Sequence, residues 1–123
     1  MKRGPIQSYR DLEVWQLGVD VVELCYRLTR GFPREELYTL TSQIRRAATS
    51  VPANIAEGYG RSQTGDYVRH LRIAQGSLKE LETHLLVAVR VKCTREDLIQ
   101  PILRQCDVIG GKSYRLIDSV QSS

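Results

Sequence analysis

Five arginines between residues 45 and 72 are the side chains in this sequence best suited to contact phosphate groups. They are Arg45, Arg46, Arg61, Arg69 and Arg72. A guanidinium is planar and presents paired N–H donors that match the oxygens of a phosphate, so arginines of this kind indicate a nucleic-acid-binding surface. The chain of 123 residues has a formal net charge of +4. Because this excess is modest and spread along the chain, the charge alone is weak evidence for such a surface.

Two other interpretations of this region stay open. If the helices on either side of a turn near residue 61 are antiparallel, Arg45 or Arg46 lies level with Glu80 or Glu82, and ion pairs within the chain could form. A row of polar residues beside the arginines, flanked by small alanines, favours a subunit interface instead. The residues of this polar row are Gln43, Ser50, Asn54 and Glu57.

Catalytic or metal chemistry is not indicated by the remaining residues. The two histidines, His70 and His84, are fourteen residues apart on one predicted helix, about 21 Å, which is too far to share a metal. The chain has no phosphate-binding glycine loop, no HExxH and no nucleophile elbow. Cys25, Cys93 and Cys106 have no CxxC spacing and fit reduced thiols. We therefore expect a protein that is not an enzyme and that needs no cofactor and no metal.

Four segments with helical periodicity position these residues. They cover about residues 8–30, 34–58, 64–92 and 94–120. No segment alternates with period two, so the sequence predicts one all-α domain over residues 1–123, an antiparallel up-down-up-down four-helix bundle. The core rows predicted for the second and third helices are Leu37, Leu40, Ile44, Ala47, Ala48, Val51 and Ile55, and Leu71, Ala74, Leu78, Leu81, Leu85 and Ala88.

Prolines and glycines interrupt two of the predicted helices. Pro52 lies in the middle of the second, where proline removes one backbone hydrogen bond and favours a kink. We expect a continuous helix kinked at Pro52, with its second half tilted toward a neighbouring subunit; the alternative is a helix that restarts at Val51. In the fourth helix, Gly110 and Gly111 predict a break or a bend.

The sequence has no segment typical of a membrane protein. Its apolar runs, such as "LLVAV" at 85–89, are far shorter than the roughly 20 residues that span a bilayer. The basic N-terminal residues are not followed by an apolar stretch, so no secretory signal is expected. We predict a cytoplasmic protein.

Three stretches resemble a known family. "LEVWQ" (12–16), "YTLTSQIRRAATSVPANIAEGYGR" (38–61) and "LRIAQGSLKELETHL" (71–85) are similar to the small proteins encoded in intervening sequences of bacterial 23S ribosomal RNA genes. The resemblance implies a four-helix bundle that assembles into a ring-like homopentamer. It also implies a fold similar to the accessory variability proteins of diversity-generating retroelements, which are basic pentamers that bind nucleic acid and a reverse transcriptase.

The resemblance adds a functional expectation to the arginines. It favours a homo-oligomeric, non-enzymatic module, with itself as partner, that binds nucleic acid, structured RNA above all, through arginines repeated around a ring. The alternative is a protein-interaction scaffold that does not bind nucleic acid.

Overall fold

Four α-helices account for most of residues 5–122, the part of the chain that the computed structural model describes. They are α1 (Glu13–Thr29), α2 (Leu40–Tyr59), α3 (Thr64–Arg90) and α4 (Glu96–Ser122). No strand occurs within the described residues, and the predicted all-α class is confirmed. Residues 1–4 and 123 of the predicted domain lie outside the described part of the chain.

The predicted core row of α3 is confirmed at every position. All six of its residues are buried, and so are Ile44, Val51 and Ile55 of α2. These rows join buried residues of α1 and α4 in one hydrophobic cluster. Because the apolar residues recur at the helical period, each helix directs one continuous side toward this cluster.

Contacts at two positions along the helices fix the relative direction of α2 and α3. The Ser50 and Ser77 hydroxyls are hydrogen-bonded at 2.8 Å, and Gly58 lies against His70. Residue numbers rise along α2 while they fall along α3, so the two helices are antiparallel. Helices α1 and α2 are also antiparallel, since Gly18 of α1 lies against Pro52 of α2 and the later Thr29 contacts the earlier Arg45.

The contacts between α1 and α2 form around a glycine and an arginine. A Cβ built on Gly18 would lie 3.4 Å from the Cβ and Cδ of Pro52. Near the other end of the pair, Arg45 Nε donates to Thr29 Oγ1 at 2.9 Å. The up-down-up-down order of all four helices stays a prediction.

Helix α1 begins later than the sequence predicts. Tyr9–Asp11 form a short 3-10 turn rather than the first turn of the helix. Ser8 caps this turn by accepting a hydrogen bond from the Arg10 N–H at 2.9 Å. Leu12 is extended, with φ −74° and ψ 126°, so the helix cannot continue through it and starts at Glu13.

Helix α2 also begins later than predicted, and the core row is correspondingly shorter. Arg34–Glu36 form a second 3-10 turn, and Thr39 has the non-helical angles φ −120° and ψ −102°. The Glu36 carboxylate accepts the Thr39 hydroxyl at 2.6 Å. Leu37 lies before the helix and is exposed, so its prediction as a core residue is wrong.

Pro52 does not interrupt α2, which continues to Tyr59. The predicted continuity is confirmed, while the kink stays a prediction. The proline is buried, and the absence of a side chain on Gly18 lets α1 approach it closely. Helix α4 likewise continues through Gly110 and Gly111. The predicted break at these glycines is wrong, because Ile109 and Ile117 are buried on both sides of them and hold the helix against the core, while a bend there stays a prediction.

A helix that spans a membrane needs about 20 predominantly apolar residues. Within residues 5–122, no helix is long and apolar enough to cross a bilayer.

Candidate nucleic-acid interface

Three of the predicted arginines lie around the turn that joins α2 to α3. Arg61 follows the last residues of α2, and Arg69 and Arg72 lie in the second and third turns of α3. All three are exposed. Arg61 is ion-paired with Glu57 at 2.5 Å, four residues earlier. Arg69 and Arg72 make no ion pair or hydrogen bond within the described residues, so their donors face solvent.

Close packing beneath this turn fixes the position of the start of α3. Gly58 approaches α3 so closely that an added Cβ would lie 3.1 Å from the Tyr67 carbonyl oxygen. The rings of Tyr59 and Tyr67 meet edge to face, with centroids 6.1 Å apart. The buried His70 ring is hydrogen-bonded through Nδ1 to the Asp66 carbonyl at 2.9 Å. These contacts hold the helix turn that carries Arg69 against the end of α2.

Burial also affects the titration of Tyr67. It raises the pKa of Tyr67 to about 12, and Tyr59 contributes to the rise. The phenol therefore stays neutral at physiological pH and does not offset the charge of the neighbouring arginines.

Arg45 is directed toward α1 and not toward α3. Its guanidinium lies over the Tyr26 ring, 4.4 Å from the ring centroid, and its Nε donates to Thr29 Oγ1. Such a stacked, hydrogen-bonded arginine contributes to the packing of α1 against α2. Arg45 therefore does not belong to the same candidate nucleic-acid surface as the other four arginines.

The predicted ion pairs of Arg45 or Arg46 with α3 do not form within the described residues. Glu80 lies 3.4 Å from His84 Nε2, and Glu82 lies 3.4 Å from Lys79 Nζ. Both carboxylates thus find their partners along α3 itself. Arg46 is exposed and has no such partner in this part of the chain.

The polar row of α2 is partly used within the chain. Ser50 is bonded to Ser77 of α3, and Asn54 Nδ2 donates to Ser50 Oγ at 3.0 Å. Glu57 is paired with Arg61, while Gln43 is exposed. The assignment of this row to a subunit interface stays a prediction, since Ser50 and Asn54 already have partners without a second subunit.

The cysteines and histidines do not form a reactive or metal-binding cluster. Among the described residues, no group of three His, Cys, Asp or Glu side chains could hold a metal ion. All three cysteines are free, and burial raises the pKa of Cys25 and of Cys106 to about 12. These two thiols are therefore protonated and poorly nucleophilic at neutral pH.

Two arginines near Arg45 were not identified from the sequence. Arg30 and Arg34 lie with it around one cavity between α1 and α2. They stand on either side of Gly31 and Pro33, in a link whose conformation periodicity does not predict. The only signal in the sequence is the concentration of basic residues at the end of α1.

The fold has a counterpart among solved structures. The chain superposes with a TM-score of 0.70 on a crystal structure from Bacteroides thetaiotaomicron, described as a protein with unknown function from the S23 ribosomal protein family. The two are 23% identical, and the match covers 85% of this chain and 94% of the other. At this identity the likeness shows the shared fold. No curated protein matches.

The sequence model of one protein family matches most of the chain. That family is described as the 23S rRNA-intervening sequence protein family, and the match extends over residues 10–115. It includes all of α1, α2 and α3, the turn that carries the exposed arginines, and most of α4. The chain is a member of the 23S rRNA-intervening sequence protein family.

Proposed function

We propose that this chain is a non-enzymatic, homo-oligomeric module of the cytoplasm that binds nucleic acid, with structured RNA as the favoured ligand. The contacts are made by Arg46, Arg61, Arg69 and Arg72, repeated around the assembly. The observation that carries the proposal is the exposed pair Arg69 and Arg72, three residues apart on α3 and without an acidic partner within the described residues. Residues at this spacing are neighbours on a helix surface, so both can reach adjacent phosphates of one backbone.

The start of α3 adds backbone donors to this surface. Gln63 precedes the helix and supplies no side-chain cap, and residues 62–65 are exposed. The first N–H groups of a helix have no acceptor within the helix, and the helix dipole is positive at this end. Arg61 and Arg69 lie on either side of it in the sequence, so charge and backbone donors both favour a phosphate here.

Assembly into a ring would multiply the modest positive charge of a single chain. A single chain has a net charge of +4, whereas a ring of five such chains would carry about +20. Binding to a polyanion releases counterions in proportion to the number of phosphates contacted. Repetition of one arginine pair around a ring therefore gives an affinity that one copy of that pair does not supply.

An exposed apolar row on α3 supports self-association. Ile73 and Val87 of α3 and Val91, the residue that follows the helix, are 40%, 41% and 56% exposed. Their spacing puts them on one side of the helix, with Glu80 and His84 between Ile73 and Val87. Ile73 lies four residues before Ser77, and Asn54 lies four residues after Ser50. Because α2 and α3 are antiparallel, Ile73 is level with Asn54, so Ile73 adjoins the polar row of α2. Exposed apolar side chains beside polar ones are typical of a protein interface.

The test is a titration of structured RNA at several salt concentrations, followed by fluorescence anisotropy. We expect affinity to fall steeply with salt in the wild type, and Arg69→Gln with Arg72→Gln to lower the slope of log K against log salt by about one per arginine. The matched control is Arg90→Gln with Arg104→Gln, which removes the same charge from exposed positions elsewhere. Binding that is absent at low salt, or that both double variants weaken equally, would refute the proposal.

The second candidate is a protein-interaction scaffold, and the exposed row of Ile73, Val87 and Val91 is the observation that favours it. This function predicts that removal of Arg69 and Arg72 changes neither the mass of the assembly nor its binding to a partner protein. Light scattering on the same arginine variants, beside the RNA titration, separates the two functions.

A further inference from the structure

The link between α1 and α2 encloses a small basic cavity at the opposite end of α2 from Arg61. Its volume is about 220 Å³, below the roughly 300–1,000 Å³ of pockets that enclose drug-sized ligands. Three arginines and two threonines, Arg30, Arg34, Arg45, Thr29 and Thr41, are among the residues that line it, beside three apolar residues. None of the described residues that line it is acidic. The cavity therefore has the size and the charge of a site for one small anion.

Arg45 is held in a fixed position at this cavity. Its guanidinium lies over the Tyr26 ring, and its Nε donates a hydrogen bond to the Thr29 hydroxyl. Thr29 in turn donates to the Cys25 carbonyl at 2.7 Å. The two terminal amino groups of Arg45 have no partner within the described residues. Four N–H donors in a planar fork are thus oriented before any ligand arrives.

Thr41 supplies a hydroxyl without a partner. This residue is 3% exposed, lines the cavity and makes no hydrogen bond within the described residues. An oxygen of a ligand in the cavity could accept a hydrogen bond from this hydroxyl. Thr41 is also the second residue of α2, where the helix dipole is positive.

The acidic residues of the link, Glu35 and Glu36, are not among the residues that line the cavity. Glu36 accepts the Thr39 hydroxyl at 2.6 Å and lies 3.4 Å from the Leu40 N–H. Burial raises the pKa of Cys93, and Glu36 and Glu35 contribute to the rise. They reduce the net charge of the link without entering the cavity.

We propose that this cavity binds a phosphate group, either as free phosphate or as the terminal phosphate monoester of a nucleic acid. The Arg45 fork would donate to two of its oxygens and Thr41 to a third, while Arg30 and Arg34 neutralise the remaining charge from the rim. The site is separate from Arg69 and Arg72, since Arg45 and Arg61 are sixteen residues apart, or about 24 Å along a helix.

The first experiment is isothermal titration of the full chain with inorganic phosphate. We expect binding in the wild type and a loss of about tenfold or more in affinity for Arg34→Gln and for Thr41→Val, which remove donors to a charged ligand. Arg45→Gln should abolish binding, and the two other variants keep the test valid if Arg45→Gln unfolds. Arg104→Gln, an exposed charge on α4, is the matched control and should change affinity less than about twofold.

The second experiment identifies the source of the phosphate. A short RNA with a 5′-phosphate is compared with the same RNA carrying a 5′-hydroxyl, on the wild type and on Arg34→Gln. A preference for the phosphorylated RNA that Arg34→Gln removes assigns the site to nucleic-acid ends, whereas phosphate binding without that preference assigns it to free phosphate. The proposal is overturned if inorganic phosphate does not bind and the 5′-phosphate of the RNA gives no preference, or if phosphate binding is unchanged in both Arg34→Gln and Thr41→Val. Because inorganic phosphate is titrated without RNA, this failure would leave the RNA-binding proposal standing.

Discussion

Gly58 and His70 bring the end of α2 and the start of α3 into backbone contact. A Cβ built on Gly58 would lie 2.8 Å from the Cβ of His70 and 3.1 Å from the Tyr67 carbonyl oxygen. Neither neighbour is the flexible end of a long side chain. The glycine therefore sets the separation of the two helices at the turn that carries Arg61 and Arg69.

We expect Gly58→Ala to lower the free energy of unfolding by about 1–3 kcal/mol, because a buried methyl group would push α3 away from α2. Urea denaturation monitored by circular dichroism measures this change. Gly76→Ala is the matched control, since a Cβ there meets nothing within 4 Å and alanine is a better helix former. An equal effect of the two substitutions would contradict the close approach at Gly58.

The sequence predicted the core of the central helices well, because burial on a helix follows its own period. All six predicted core residues of α3 are buried. The prediction was less accurate where a segment is not helical. Leu37 was placed in the core row of α2, but the chain does not become helical until Leu40, and no periodic pattern distinguishes a 3-10 turn from the first turn of an α-helix.

The partners of the arginines could not be predicted for a different reason. Periodicity shows which residues flank a core row, but not which neighbouring helix lies on each side, since that depends on the handedness of the bundle. Arg45 lies on the flank of α2 that meets α1, where it contacts Tyr26. Ser50 lies on the flank that meets α3. The expected ion pairs with Glu80 and Glu82 assumed that both flanks were equally available to α3.

Arg45 and Arg46 are adjacent in sequence but should differ in their effect on stability. We expect Arg45→Met to cost about 1–3 kcal/mol, through loss of the stack on Tyr26 and of the hydrogen bond to Thr29. Arg46→Met, at an exposed position, should stay within about 0.5 kcal/mol of the wild type. Thermal and urea unfolding of both variants would show the difference, and equal stabilities would argue against the inward position of Arg45.

The Ser50 and Ser77 hydroxyls should be energetically coupled. We expect Ser50→Ala and Ser77→Ala each to cost about 0.5–1.5 kcal/mol and the double variant to cost less than the sum, because both single changes remove one shared hydrogen bond. A double-mutant cycle of unfolding free energies measures the coupling. Strict additivity would mean that the 2.8 Å contact contributes nothing to the fold.

The apolar row of α3 should control assembly. We expect Ile73→Asp with Val87→Asp to lower the mass of the oligomer, because two carboxylates would be buried in a subunit contact. Light scattering at several protein concentrations measures the mass. Val108→Asp, at a similarly exposed position on α4, is the control. An unchanged mass in the double variant, or an equal loss in the control, would place the interface elsewhere.

The buried thiols predict a loss of stability at alkaline pH. Burial raises the pKa of Cys25 from 9.0 to about 12, so in the unfolded chain this thiol loses its proton at a lower pH than in the folded protein. The folded state then binds more protons between these two values, and the unfolding free energy contributed by the thiol, complete below about pH 9, falls as the pH rises toward 12. The decline per thiol is at most about 1.4 kcal/mol per pH unit. Cys106 and Tyr67 act in the same direction, since their pKa values are also raised to about 12. Urea unfolding at pH 8 and pH 10.5 should therefore show a smaller decline for Cys25→Ala than for the wild type, whereas equal declines would mean that Cys25 ionises in the folded state as easily as in the unfolded chain.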